Sequence, residues 1–247
     1  RLAVLEKEGH EIAITQHDVT YGDKVDPQFE VPEDAQEFMQ AYTGIQRNGE
    51  VYNSDIDAPT EAGEYSFIVV YETESKSCYG MVSFKIEPKP ITDAKVTLAD
   101  DSLEYNGNVK TVDVVSAMLD GEDIMRWCSI SGNSEVNAGE HTVTLTALED
   151  SNYIGTATAN YMINTIQTRV VSGGYSGVYD GKSHSCSVSV ENAEMAGAKV
   201  YYSANKELDE RNFTDGTPIP PERTKTGTTK VYFYVDTNGN VEAVPKS

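Results

Sequence analysis

The chain has 247 residues, 38% of them apolar, and a formal charge of −21. A chain this acidic repels phosphate backbones and anionic lipid surfaces, which excludes nucleic acid as a partner. No apolar run approaches the ~20 residues that cross a bilayer, so no membrane insertion is expected in this segment. The apolar fraction is low for one large core, but three sandwiches of about 80 residues, each sheet wet on one side, fit both the fraction and the length.

In chain order, Arg1-Leu-Ala-Val-Leu-Glu6 is too short and too quickly charged for a signal peptide. Residues 1–11 read as a leading segment. Val19-Thr-Tyr21-Gly-Asp23 is a tyrosine followed by a glycine turn. Pro32–Gln40 predicts one short turn of helix. Glu61-Ala-Gly63 then opens an alternating strand through Tyr65, Phe67, Val69 and Tyr71, with the glycine allowing a sharp entry. A second turn at Tyr79-Gly80 leads into a strand closing on Phe84-Lys-Ile86, and Glu87-Pro-Lys-Pro90 is a stiff extended linker.

The same three signals return in the same order. The tyrosine turn recurs as Leu103-Glu-Tyr105-Asn-Gly107 and Val178-Tyr179-Asp-Gly181, with tyrosine spacings of 84 (105 − 21) and 74 (179 − 105). Asn-Gly and Asp-Gly supply the positive φ of tight turns. The glycine corner recurs as Asn137-Ala-Gly139 and Lys225-Thr-Gly227, again before alternating strands. The closing strand recurs as Tyr153-Ile-Gly155 through Tyr161-Met-Ile163, with no counterpart after Asn238-Gly-Asn240. Within repeat two, Thr111–Leu119 reads as a strand because its β-branched run disfavours helix, and Asp120-Gly121 reads as the turn after it. Asn164–Thr168 reads as a looser linker.

The expected fold is therefore all-β: three tandem immunoglobulin-like β-sandwich modules in an elongated arrangement, at residues 1–88, 89–165 and 166–247, the third cut before its last strand. The abrupt end at Ala243–Ser247 reads as an internal excerpt of a longer chain, with signal and anchor outside it.

At Val178–His184, Ala58–Tyr65, Asn137–His141 and Asn152–Gly155 the chain resembles the Ig-like repeats of bacterial surface proteins, the MBG/YDG group of long, exported, often Gram-positive polypeptides. The resemblance covers the chain from about Ile12 onward and implies an extracellular place on the cell surface or wall. The implied role is structural: repeats that project a functional tip, or that contact host glycan or matrix protein. Repeat one departs from the pattern with Tyr21-Gly22, and repeat three with the Pro-rich insertion Thr214–Glu222.

The residues show no convergent chemistry. His10 and His17 share no metal-binding helix face, His141 stands where repeat one has Tyr65, and His184 starts a strand after a turn. Cys78, Cys128 and Cys186 are odd in number and fit no zinc or redox spacing, so they read as small apolar residues. The acidic runs Asp55-Ile-Asp57 and Asp100-Asp101 read as solubilising; neither has the spaced oxygens of a calcium loop. Lys95 and Asn160 lie in strands suited to an isopeptide bond, against the plainer reading of an exposed lysine and a solvated amide. No catalytic, cofactor or metal residues are assigned, and the chain is read as a non-enzyme without cofactors.

Two functions remain: a stalk or spacer, and an adhesive module holding host glycan or protein through Trp127, Tyr201 and Tyr202. Against the adhesive reading, Trp127 fits the core of repeat two, and adjacent Tyr201 and Tyr202 put one ring inside and one outside. An accessory module of a secreted enzyme is a more remote alternative. Charged edges predict a monomer.

Overall fold

The structure, a computed structural model, describes residues 8–245, apart from the side chains of Ala196 and Pro245. It is all-β, with 51% strand and 4% helix. By packing, the chain divides into two units. The first holds the residues up to Val96 with Ser116–Ile130 and Thr144–Thr158; the second holds Thr97–Val115, Ser131–Val143 and the residues from Ala159. Repeat two gives residues to both.

Repeat one is built on β1 (Glu8–Glu11), β2 (Val19–Thr20), β3 (Gln36–Gln46), β4 (Val51–Ser54), β5 (Gly63–Glu72) and β6 (Lys76–Glu87). They form one sheet in the order β1-β6-β5-β3-β4, with β2 beside β6. The period of two along β5 turns Tyr65, Phe67, Val69 and Tyr71 to one face, and each is 5% exposed or less. Tyr42, Cys78, Phe84 and Ile86 extend that face, and Ile12 and Val25, from the segment between β1 and β3, cover it. Burying a ring such as Phe67 is worth about 1.5–3 kcal/mol. Apart from the two-residue β2, the covering segment, which carries Pro27 and Pro32, forms no ladder, and Thr15↔Gln28 is an isolated bridge within it.

The short helix expected at Pro32–Gln40 is a strand from Gln36 onward. Pairing along β5 supplies backbone partners that a single helical turn lacks, so the ladder overrides local preference. The misfit survives as a register shift between Gln36 and Met39, with Glu37 at φ +50°.

Repeat two holds β7 (Lys89–Pro90), β8 (Lys95–Leu98), β9 (Ser102–Glu104), β10 (Lys110–Thr111), β11 (Val114–Leu119), β12 (Glu122–Asp123), β13 (Cys128–Ser131), β14 (Ser134–Glu135), β15 (Gly139–Ala147), β16 (Tyr153–Ile154) and β17 (Thr156–Asn164). The larger sheets run β13-β15-β17-β9 and β12-β11-β8; β10 pairs β14, and β16 pairs β7. Asp120 and Gly121, at φ +50° and +91°, close the β11–β12 hairpin as the sequence predicts. Val143, Leu145, Ala157, Tyr161 and Ile163 are 3% exposed or less. Trp127 is not among them. A 3₁₀ turn at Met125–Trp127 follows Ile124, which is itself buried and leaves the indole 39% exposed.

Repeat three holds β18 (Ile166–Gly173), β19 (His184–Ser185), β20 (Ser187–Val190), the short helix α1 (Ala193–Ala196), β21 (Lys199–Ser203), β22 (Glu222–Arg223), β23 (Tyr232–Asp236) and β24 (Val241–Pro245). The expected loose linker at Asn164–Thr168 is instead continuous strand, with only Thr165 between β17 and β18. Alternation in Ile-Gln-Thr-Arg-Val buries Thr168 and Val170 and draws the segment into a ladder with β24.

Candidate functional site at the joints between repeats

Three parallel ladders show which residues correspond. Glu8 pairs with Lys76, Lys89 with Tyr153 and Ile166 with Val241. The residues just before those partners, Ser75, Asn152 and Asn240, therefore hold one and the same place on their ladders. In repeats two and three it follows the corner glycine by the same distance, 13 residues (152 − 139 and 240 − 227).

Within the first unit, Asn152 meets the corner Glu61-Ala-Gly63. The amide of Ala62 donates to Asn152 Oδ1 at 2.8 Å, Asn152 Nδ2 donates to Glu61 Oε2, and Lys89 N–H donates to Asn152 O at 2.9 Å. Tyr65 supports the corner from inside, its hydroxyl donating to Glu61 O at 2.7 Å. Burial, reinforced by Glu61 and Tyr52, pushes the Tyr65 phenol up to about 12. Tyr21 of the first tyrosine turn meets Tyr153 edge-on, with ring centres 5.5 Å apart. Burial, then Tyr21 and Glu122, also pushes Tyr153 up to about 12. Arg47 Nε donates to Glu149 O at 2.6 Å, and Lys89 pairs with Asp120.

Within the second unit the arrangement recurs. The amide of Ala138 donates to Asn240 Oδ1 at 2.8 Å, and Asn240 Nδ2 donates to Asn137 Oδ1 at 3.2 Å. His141 Nε2 lies 2.8 Å from Asn137 O, the same four-residue reach by which Tyr65 holds Glu61. His141 also packs on Tyr161 as Tyr65 packs on Phe84. Tyr105 of the second tyrosine turn, 7% exposed, donates its hydroxyl to Met195 O at 3.1 Å. Each joint is thus a corner amide capped by an asparagine from the next repeat, beside a tyrosine seated on that repeat. A carboxamide suits the task because it accepts from the amide and donates onward at once.

Of the residues named for ligand contact, Trp127 lies in the first unit and is the most exposed of the three. The Arg126 guanidinium sits 5.0 Å above its ring, and Glu122, Asp123, Met125 and Tyr153 complete a concavity of about 390 Å³. Tyr201 is half-buried, edge-on to Phe213. Tyr202 is 6% exposed, so its ring is core and is not offered to a ligand; adjacent strand residues face opposite ways.

The remaining candidates do not converge. Among the described residues no group of three or more His, Cys, Asp or Glu side chains could hold a metal. Asp55 and Asp57 are exposed, and Asp100 caps the amide of Ser102. Lys95 is exposed, while Asn160 is an exposed amide that accepts from Thr142 and donates to Glu140. His10 and His17 are exposed, and His184 bonds Asp180 at 2.9 Å. Cys78 is buried, and Cys128 and Cys186 are half-buried free thiols. The joint asparagines escape motif reading because each looks like an ordinary turn residue. Their signal is the constant spacing from the corner glycine.

Residues 94–167 match the model of the MBG domain, which bears out the resemblance for repeat two. None of the curated proteins compared with the chain matches it. Among solved structures, extracellular domains 3–5 of Drosophila OTK are 13% identical, covering 97% of this chain and 95% of that one, with a TM-score of 0.23. A structure described as the basis for Dscam isoform specificity is 10% identical, covering 96% and 66%, with a TM-score of 0.20. Likeness this weak carries no argument for fold or function.

Proposed function

We propose that the chain is a non-catalytic stalk or spacer segment of a bacterial cell-surface protein, with three modules linked in series and displayed outside the cell. The observation that carries this reading is the joint itself, present once in each unit with an alanine amide donating to an asparagine Oδ1 and a ring side chain, Tyr65 or His141, reaching the carbonyl four residues before it. A joint repeated with its polar groups satisfied sets successive modules in one reproducible way, which is what a spacer needs and a catalyst does not. The match of residues 94–167 to the MBG domain supports the surface location. Small-angle scattering of the purified chain, with an array of glycans and matrix proteins, tests it. A stalk gives the profile of an elongated monomer and no saturable binding; a compact particle overturns it.

The adhesive reading is kept for one observation. An indole 39% exposed, flanked by Glu122 and Asp123, offers a stacking surface beside hydrogen-bond acceptors, which suits a sugar ring. Saturable glycan binding that shifts Trp127 fluorescence selects this reading over the stalk.

A further inference from the structure

Phe67 and Val69 point into the core of repeat one, so by the period of two Ile68 and Val70 point out of the opposite face of the sheet. Their partners on β3 and β6 extend that face. One rung holds Met39, Val70 and Tyr79, and the next holds Ala41, Ile68 and Met81. Met39, Tyr79 and Met81 are 68%, 56% and 67% exposed, and the other three are partly exposed. Six apolar side chains thus lie together in water. The rung after them is hydroxylic, with Ser66 and Ser83 sharing a hydrogen bond at 3.0 Å, and the next pairs Lys85 with Glu64 at 2.7 Å.

The same face of repeat two is polar. Counted from the corner glycines Gly63 and Gly139, Ile68 and Val70 correspond to Thr144 and Thr146. Counted back from the closing isoleucines Ile86 and Ile163, Tyr79 and Met81 correspond to Thr156 and Thr158. The two counts agree in space, because Thr142 donates to Asn160 at 2.9 Å where Ser66 and Ser83 share their bond. Threonine is as good a strand former as valine or isoleucine. The strands therefore do not call for apolar side chains at these places, and a contiguous exposed patch of them marks an interaction surface.

We infer that this face of repeat one is a docking surface for a partner protein whose contact patch is apolar at its centre and basic at its rim. Glu72 lies on the rung beyond Val70, and Glu11 pairs beside Tyr79. Glu74 lies in the turn to β6, which opens on Lys76. Three carboxylates against one ammonium leave this border acidic, in a chain of charge −21, so it attracts lysine and arginine. A second copy brings the same border and the same charge and is repelled, as is an anionic lipid surface. A sugar needs ring faces to stack on, and five of the six side chains have none. Methionine on both β3 and β6 suits a protein, because its unbranched chain adapts to the surface it meets. The docking face is separate from the spacer role: particle shape tests one, and binding at these rungs tests the other.

The test is titration of the whole chain with a synthetic peptide of alternating leucine and lysine, about eight residues long, within the range of a strand. Control peptides alternate serine with lysine, and leucine with glutamate. The expected result is saturable binding of the first peptide, about tenfold or more tighter than either control, and weaker as salt is raised. Binding slows peroxide oxidation of Met39 and Met81 and leaves that of Met162, 40% exposed in repeat two, unchanged. The variant carrying Ile68→Thr, Val70→Thr, Tyr79→Thr and Met81→Thr keeps its far-ultraviolet spectrum and loses the binding. Should it fail to fold, Met81→Thr alone weakens the binding, and oxidation of the unaltered chain still reads the site. No saturable binding, equal binding of either control, undiminished binding by a folded variant, or unslowed oxidation of Met39 and Met81 overturns the proposal. So does slowed oxidation of both methionines as the chain is concentrated without peptide, because the occupant is then a second copy.

Discussion

The carboxamide oxygen of Asn152 takes the amide hydrogen of Ala62 at 2.8 Å, and the same carboxamide donates to Glu61. The two bonds close the corner that Tyr65 holds from inside, so removing the carboxamide strands a part-buried amide and a carboxylate together. Asn152→Ala is expected to cost about 1–3 kcal/mol of unfolding free energy, with Asn240→Ala at the low end of that range because it leaves only neutral groups. Asn152→Asp keeps an acceptor but sets a second carboxylate against Glu61, so it should be less stable than Asn152→Ala at neutral pH and recover as acid protonates the pair. Denaturant unfolding at two pH values checks the order. Equal stability of Asn152→Ala and wild type sinks the joint as a structural element.

Tyr65 and Tyr153 are both pushed up to about 12, chiefly by burial. A phenol raised above its unfolded value holds its proton longer in the folded state, so the folded chain binds more protons between pH ~10 and 12 and loses stability as pH rises through that window. Below it the contribution is fully present. The melting temperature should therefore fall across the window, and Tyr65→Phe should flatten the fall while lowering stability at neutral pH through the lost bond to Glu61. A melting temperature independent of pH over that range contradicts the burial of both rings.

Much of this architecture is legible in the sequence because it rests on local rules. Period-two alternation at Glu64–Tyr71 and His141–Ala147 announces strands, and Asp120-Gly121 announces a tight turn. Ladders between distant segments were not legible. Pro32–Gln40 carries helix-compatible residues, yet the long partner strand β5 decides it, and Asn164–Thr168 looks like a linker until β24 is seen beside it. Trp127 was misplaced because a lone tryptophan suits the core of an Ig-like sandwich, whereas around the 3₁₀ turn it is Ile124 that is buried. The joint was least visible of all, since Asn152 and Ala62 are 90 positions apart.

Gly44 pairs with Tyr65 across the β3–β5 ladder. A Cβ there would lie 2.4 Å from Glu64 O and 2.5 Å from Tyr65 Cδ1, so Gly44→Ala must push β3 away from β5 or shift the Tyr65 ring. Overpacking of this kind is expected to destabilise the chain by about 1–3 kcal/mol. Gly9 sits on an edge strand with nothing within 4 Å of a built Cβ, so Gly9→Ala should lie within about 0.5 kcal/mol of wild type. Thermal melts of the pair check the contrast, and a neutral Gly44→Ala would mean that β3 and β5 approach less closely than described.

The last contrast separates the core from the surface. Phe67 is 1% exposed and contacts Tyr42 and Phe29, with ring centres at 4.8 and 5.5 Å, whereas Trp127 is 39% exposed and leans on Arg126. Phe67→Ala opens a cavity in the sheet face and should cost about 3–5 kcal/mol. Trp127→Ala removes a ring that water already reaches and should cost under about 1 kcal/mol, the lost cation–π contact included. Because Trp127 is the only tryptophan, its emission in the native chain should be quenched readily by iodide and shift little on unfolding. Strong protection from iodide, or a large loss of stability in Trp127→Ala, would place the indole inside repeat two and remove the observation on which the adhesive reading rests.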